Sequence, residues 1–238
     1  SIKGLGEIKL EKEFNKINYN ILKKNNKTNF GSKISLNKTS FDIDFLNFKS
    51  NDKLETQLQI AGNYNDKKEL NFKEISVIEK NNQILLENFL LDKNNLFIKV
   101  DKIKLNYFDT EGKKNQLLFL RKQKNDYNVN GSSLNANNLI DNLLNGKNNS
   151  DSKIFKNNIS LILDLGKVYI DEKNFVNNLK GKLDIKDNKV FKADIFAFFS
   201  KNEKLTFTIN TNNTGEKITT FFSSRAKPIV KRYKFIKG

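Results

Sequence analysis

Apolar and polar residues alternate along most of this chain. Ile34 and Leu36, then Phe41, Ile43 and Phe45, are each separated by polar positions. Leu54, Thr56, Leu58 and Ile60 continue the pattern. Leu96, Ile98 and Val100 are followed, after one slip of phase, by Ile103, Leu105 and Tyr107. Ile159–Leu165, Leu179–Ile185, Phe191–Phe199 and Leu205–Ile209 repeat it. A period of two marks strands with one face covered. Breaks rich in Asn, Asp, Lys and Gly fall between them, at 63–68, 109–115, 186–189 and 210–216. A strand every 10–15 residues or so predicts an antiparallel meander rather than βαβ units.

Two stretches leave the period. Ser133–Asn145 puts Leu134, Leu139, Ile140, Leu143 and Leu144 on one helical face. Ser132 or Ser133 is a candidate cap and Gly146 a candidate stop. A second helix is expected over Arg225–Tyr233, with Ser224 as cap and Pro228 near the first turn. The preceding Ile218–Ser224 is expected to be a strand paired with 205–212. The polar stretch 146–156 reads as a linker, so residues 1–146 and 147–238 form two β segments.

Composition narrows the chemistry. There is no Cys and no His among 238 residues. That excludes disulfides, thiol nucleophiles, imidazole bases and Cys- or His-based metal sites. No cofactor and no metal are expected. The formal charge of +16 comes from 43 Lys+Arg, of which only Arg121, Arg225 and Arg232 are Arg. Readers of phosphate and bases favour the planar guanidinium, and Lys here is scattered through loops and polar strand positions. The field of so basic a body still draws it toward anionic surfaces at low salt.

Four Ser-x-x-Lys matches, at Ser35, Ser50, Ser150 and Ser224, lack the partner motifs of an acylating serine. Asp42/Asp44 and Asp184/Asp187 lack the glycine and closing Glu of a calcium loop. Gly4-Leu5-Gly6 lacks the third glycine of a dinucleotide loop. The longest apolar run, Ile195–Phe199, is far shorter than the ~18 residues that span a bilayer.

The strongest signal is apolar excess. Phe196 and Phe198 make the second face of 195–199 apolar, and Ile162 does so within 161–165. Leu85, Leu86, Phe89, Leu90 and Leu91 behave alike. Such strands fit a closed β-sandwich core, or an open groove with one face free for an apolar ligand. For the groove, the expected lining is Leu161, Leu163, Leu165, Ile195, Ala197, Phe199, Leu205, Phe207 and Ile209. A slip of one residue exchanges the faces, so the pattern alone leaves the inward face open.

Two segments carry a family resemblance. Tyr127–Leu144 reads Tyr-Asn-Val-Asn-Gly-Ser-Ser-Leu-Asn-Ala-Asn-Asn-Leu-Ile-Asp-Asn-Leu-Leu. It resembles the strand-to-helix motif of AsmA-like C-terminal domains. Ile218–Gly238, with Phe221-Phe222-Ser223-Ser224-Arg225-Ala226-Lys227-Pro228-Ile229-Val230-Lys231-Arg232 and the final Phe235-Ile236-Lys237-Gly238, is similar to the end of those domains. Asn135 stands where the family usually has Asp, and Ser224-Arg225 where an acid is common. The resemblance implies a mainly β protein of the AsmA/TamB/YhdP superfamily, with an elongated antiparallel meander curled into an open groove or clam-shell and two short α-helices. It implies a piece of a longer periplasmic protein, anchored to the inner membrane elsewhere, that moves phospholipids between inner and outer membranes without catalysis. The expected partners are phospholipids or other acyl lipids and the two membranes, with no nucleic acid. The alternative is a basic β-sandwich module for an anionic polymer, nucleic acid or polysaccharide.

Overall fold

The computed structural model describes residues 1–10, 12–37, 39–65, 69–144, 158–186, 189–212, 214–225 and 227. Strands take 72% of the protein and helix 4%, so among the described residues strands far outnumber helix. The chain divides into two compact units, Ser1–Gly112 and Lys113–Gly238.

The first unit is an antiparallel meander of β1 (Ile2–Leu10), β2 (Glu13–Lys24), β3 (Lys27–Leu36), β6 (Thr56–Tyr64), β7 (Leu70–Glu79), β8 (Asn82–Leu91) and β10 (Lys102–Phe108). The short β9 (Phe97–Lys99) pairs with β8. The β2–β3 turn places Asn25 and Asn26 at φ 46° and 55°, the left-handed pair that matches strand twist in a two-residue hairpin. Between β3 and β6 the chain makes a separate hairpin, β4 (Asp42–Ile43) and β5 (Phe48–Lys49), around a 3-10 turn at Asp44–Leu46. The alternation of Phe41, Ile43 and Phe45 predicts a longer strand there. The turn cuts it short, closed by Asn47 at φ 52°, a left-handed position that Asn tolerates.

The second unit holds β11 (Lys114–Gln123), β12 (Asp126–Asn135), β13 (Ile159–Tyr169), β14 (Phe175–Lys186), β15 (Lys189–Ser200), β16 (Glu203–Thr211) and β17 (Lys217–Ser223), side by side in that order. Every pair in it is antiparallel except β12 with β13, which is parallel. Parallel neighbours need a long crossover, and residues 136–158 supply it. The polar stretch 146–156 therefore connects two strands of one sheet, and the division between the compact units falls after Gly112 instead. Among the described residues the first and last strands of neither unit pair, so neither closes into a barrel.

The first expected helix is α1, at Asn137–Leu144. It starts later than the sequence suggests, because Ser132 and Ser133 belong to β12, which pairs on both sides. Ala136 accepts the first helical bond, from the Ile140 N–H (2.9 Å), and the Asn137 N–H donates to Asn135 Oδ1 (3.1 Å), which satisfies one of the helix's first donors. The second expected helix, Arg225–Tyr233, lies almost wholly outside the described residues.

Both units carry bulges beside a glycine: Lys73 is the extra residue opposite Ala61–Gly62, and an extra residue at 178–179 precedes Gly181. A Cβ at Gly62 would run into the Asn71 carbonyl and the Phe30 ring, and one at Gly181 into the Asp194 carbonyl. The ladder shifts register beside each. Bulges bend a strand and increase its twist, and glycine permits the close backbone approach.

Candidate functional site

Register resolves which side chains share a face. In the second unit Val129 lies opposite Leu163, Leu163 opposite Gly181, Gly181 opposite Ile195, Ile195 opposite Phe207 and Phe207 opposite Phe221. The rows on either side run through Tyr127, Leu161, Leu183, Ala193 and Ile209, and through Gly131, Leu165 and Leu179 with Ala197 and Leu205 beyond the bulge. Eight of the nine residues expected to line a groove thus share one sheet face. The ninth, Phe199, is buried at the irregular end of β15, where Arg225 lies over its ring at 5.9 Å.

Burial divides this face. Leu165, Ala197, Phe199, Leu205 and Ile209 are buried, Ala197 completely. Leu161, Leu163, Ile195 and Phe207 keep solvent access. Phe119, Leu163, Ile195, Phe207 and Phe221 keep that access within one apolar row across the seven strands, in which Val129 is buried and Gly181 has no side chain; Phe207 packs on Phe221 at 6.1 Å between ring centroids. Six strand spacings of ~4.8 Å make it about 29 Å long. Phe119, Val129, Leu183 and Phe221 share the face without having been expected as lining. The alternation of Leu117 with Phe119 and of Tyr127 with Val129 is the signal that marks the first strands of this set.

The two-sided apolar pattern also resolves. Ile162 lies opposite Lys182, and Phe196 opposite Lys180 and Thr206. These belong to the other, polar face, where Ile162 is 53% and Phe222 55% exposed. Ion pairs Lys180–Asp164 (3.3 Å) and Lys182–Asp184 (3.4 Å) join neighbouring positions; exposed pairs of this kind contribute little to stability.

The first unit repeats the design. Ile17, Ile34, Leu58, Val77, Ile84 and Leu105 form one row; Tyr19, Ser32, Ile60, Ile75, Leu86 and Ile103 form the next. Beyond them Phe30, Phe72, Phe89 and Phe97 make an aromatic ladder with centroid spacings of 6.0, 5.9 and 5.9 Å. The opposite side of the face is covered by the 37–55 insertion. Phe48 is 1% and Tyr107 2% exposed. Their rings meet edge to face at 5.5 Å, and Tyr107 donates its hydroxyl to the Leu46 carbonyl (2.7 Å). Burial, and then the nearby Asp109 carboxylate, hold the Tyr107 phenol well above the usual tyrosine range, so it stays a neutral donor. Glu79 fastens the same end, accepting from the Asn51 N–H (2.7 Å) and the Thr56 hydroxyl (2.8 Å). The alternate face of these strands is polar, with Lys16, Asn18, Lys33, Gln57, Gln59 and Gln83. A shallow concavity of about 280 Å³ between Asn18, Asn20, Lys33, Gln59 and Glu74 lies there, not on the apolar face.

The other motifs do not assemble into sites. The Ser50 hydroxyl accepts from the Phe41 N–H (2.8 Å) as part of a turn. Asp42 lies 3.7 Å from the Lys49 ammonium, and Asp184 accepts from the Ser160 hydroxyl (2.6 Å). Lys38, Ser150, Lys153 and Asp187 lie outside the described residues. Among the described residues there is no group of three or more acidic side chains placed to hold a metal ion, and no helix is long and apolar enough to cross a membrane. No protein-family model, no curated protein and no solved structure matches this chain.

Proposed function

We propose that the apolar sheet faces bind phospholipid acyl chains, and that the protein is a non-catalytic segment of a track moving lipids between two membranes. The observation that supports this reading is the row Leu163–Gly181–Ile195–Phe207–Phe221, apolar across neighbouring strands and partly open to solvent. A bilayer core is about 30 Å thick, so one leaflet's chain reaches about 15 Å, and a row of about 29 Å accommodates it whole. Full burial stabilises a methylene by ~0.8 kcal/mol, and a chain lying on an open face has about half of that per methylene. Each step along the row exchanges one apolar contact for another, so movement needs no reacting group. A periplasmic location and an inner-membrane anchor outside this segment complete the proposal; both rest on the resemblance to AsmA-like domains.

A second reading has its own observation. Phe196 and Phe222 are exposed on the polar face, in line with Lys180 and beside Lys204. Aromatics interleaved with lysines are what a single-stranded nucleic acid stacks upon. Native mass spectrometry of the 238-residue chain purified from cells separates the two. Co-purified phospholipid is the expected result. A lipid-free protein that binds DNA with a steep salt dependence would overturn the lipid reading.

A further inference from the structure

The outer edge of the first unit is self-complementary. β1 is its outermost strand, and among the described residues no strand pairs with its outer side. It pairs with β2 over all nine of its residues without a bulge. Such an edge offers a straight row of N–H and C=O groups to another strand. Proline and bulges commonly blunt an edge, and β1 has neither. It also presents Leu5, 85% exposed, and Ile2, 61% exposed.

Register gives the side chains of β1 two faces. Ile2, Gly4, Gly6 and Ile8 lie opposite Ile21, Tyr19, Ile17 and Asn15, so they continue the apolar face. Lys3, Leu5, Glu7 and Lys9 lie opposite Asn20, Asn18, Lys16 and Phe14, on the polar face. Two copies of β1 could pair antiparallel in several registers, and these residues choose among them. A register that sets an even position against an odd one puts the apolar face of one copy beside the polar face of the other. Centring the pair on Gly6 sets Lys3 against Lys9, and centring it on Glu7 sets Glu7 against itself; like charges directly opposite destabilise a ladder. Centring it on Leu5 sets Lys3 against Glu7 twice, with Leu5 against Leu5 between them. On the other face Ile2 then meets Ile8 twice and Gly4 meets Gly6 twice. Opposite charges and apolar pairs directly across a ladder stabilise it. Lys3, Leu5 and Glu7 are all exposed, so they are available for these contacts.

We infer that β1 pairs with β1 of a second copy of this chain, antiparallel and centred on Leu5, to form a two-fold dimer. The contact is isologous, since each copy gives the same strand and each Lys3 meets the partner's Glu7. The axis stands perpendicular to the sheet, so the apolar faces of the two first units lie on the same side. They join through the glycines, in a row that runs Ile17, Gly6, the partner's Gly4 and the partner's Tyr19. The inference does not depend on what that face binds.

Sedimentation equilibrium of the 238-residue chain tests it, at physiological salt, where a Debye length of ~8 Å damps the repulsion between two copies of charge +16. The wild type should dimerise. Lys3→Glu and Glu7→Lys each turn two attractive pairs into repulsive ones and should weaken the dimer about tenfold. Lys3→Glu/Glu7→Lys should restore it. An equimolar mixture of the two single variants should dimerise more tightly than either alone, because each then meets its opposite charge. Leu5→Cys, in a chain with no other cysteine, should form a disulfide between copies under mild oxidation. Directly opposed Cα atoms lie ~4.5–5.5 Å apart, within the span a disulfide needs. Phe45→Cys, at a position 65% exposed, should not cross-link. A monomeric wild type would overturn the inference. So would a dimer indifferent to both charge reversals, or Phe45→Cys cross-linking as fast as Leu5→Cys. A benzophenone side chain replacing Leu5 that captures another protein in cells, and not a second copy, would overturn it as well.

Discussion

Substituting Leu163 by Asp separates an open track from a closed core. Leu163 is half-buried, between Val129 and Gly181 on neighbouring strands, while Leu165, two residues on, is 3% exposed. Burying a whole leucine side chain is worth about 2 kcal/mol, so Leu163→Asp forfeits about 1 kcal/mol and keeps its carboxylate wet. A domain of ordinary stability, ~5–15 kcal/mol, survives that. Leu165→Asp strands a charge without a partner in a covered row and should cost ~3–5 kcal/mol. The effect on lipid is the reverse in size. A carboxylate at 163 displaces about four methylenes at ~0.4 kcal/mol each and must be desolvated wherever the chain lies over it, at several kcal/mol. Retention should fall about a hundredfold or more, since 1.4 kcal/mol is tenfold. Urea denaturation measures the first quantity and native mass spectrometry the second. If Leu163→Asp retains lipid as the wild type does, or loses as much stability as Leu165→Asp, the row is not an open track.

Tyr107→Phe removes the hydrogen bond to the Leu46 carbonyl and keeps the contact with Phe48; a loss of about 1 kcal/mol is expected by denaturant titration. The same tyrosine predicts alkaline sensitivity. Its pKa is raised in the folded state, so below about pH 10 both states are neutral, and above it the unfolded chain ionises first. Stability should fall above about pH 10, and less steeply in Tyr107→Phe. Gly181→Ala drives a methyl into the Asp194 carbonyl and should cost about 1–3 kcal/mol. Gly6→Ala, whose Cβ would meet only the Ile17 side chain at 4.0 Å, should be neutral or slightly stabilising.

Much of the face was legible because β13, β15 and β16 obey a period of two with polar breaks at both ends. Leu161, Leu163 and Leu165 could therefore be grouped before any pairing was known. Which face they shared with Ile195 and Phe207 was not legible, because Ile162 and Phe196 are apolar as well. Only the pairing of Ile162 with Lys182 and of Phe196 with Lys180 assigns those two to the polar side. The parallel β12–β13 contact was hidden for a different reason. Its crossover begins in α1 and continues through a polar stretch that reads locally as a linker. The 37–55 insertion was misread because Phe41, Ile43 and Phe45 alternate like a strand, while only Asp42 and Ile43 pair, in a short hairpin of their own, before the 3-10 turn takes over. Their hairpin instead supplies Phe48 and the Leu46 carbonyl to Tyr107, a contact between residues about sixty apart in sequence.

The central claim is that lipid lies on one face of these sheets and not the other. A photoreactive benzophenone side chain replacing Ile195 or Phe207, and in parallel Lys182 or Thr206, tests it directly in cells. Adducts with phospholipid mass at 195 and 207, and none at 182 and 206, are the predicted result. Adducts at 182 and 206 alone, or nucleic acid captured there, would contradict it.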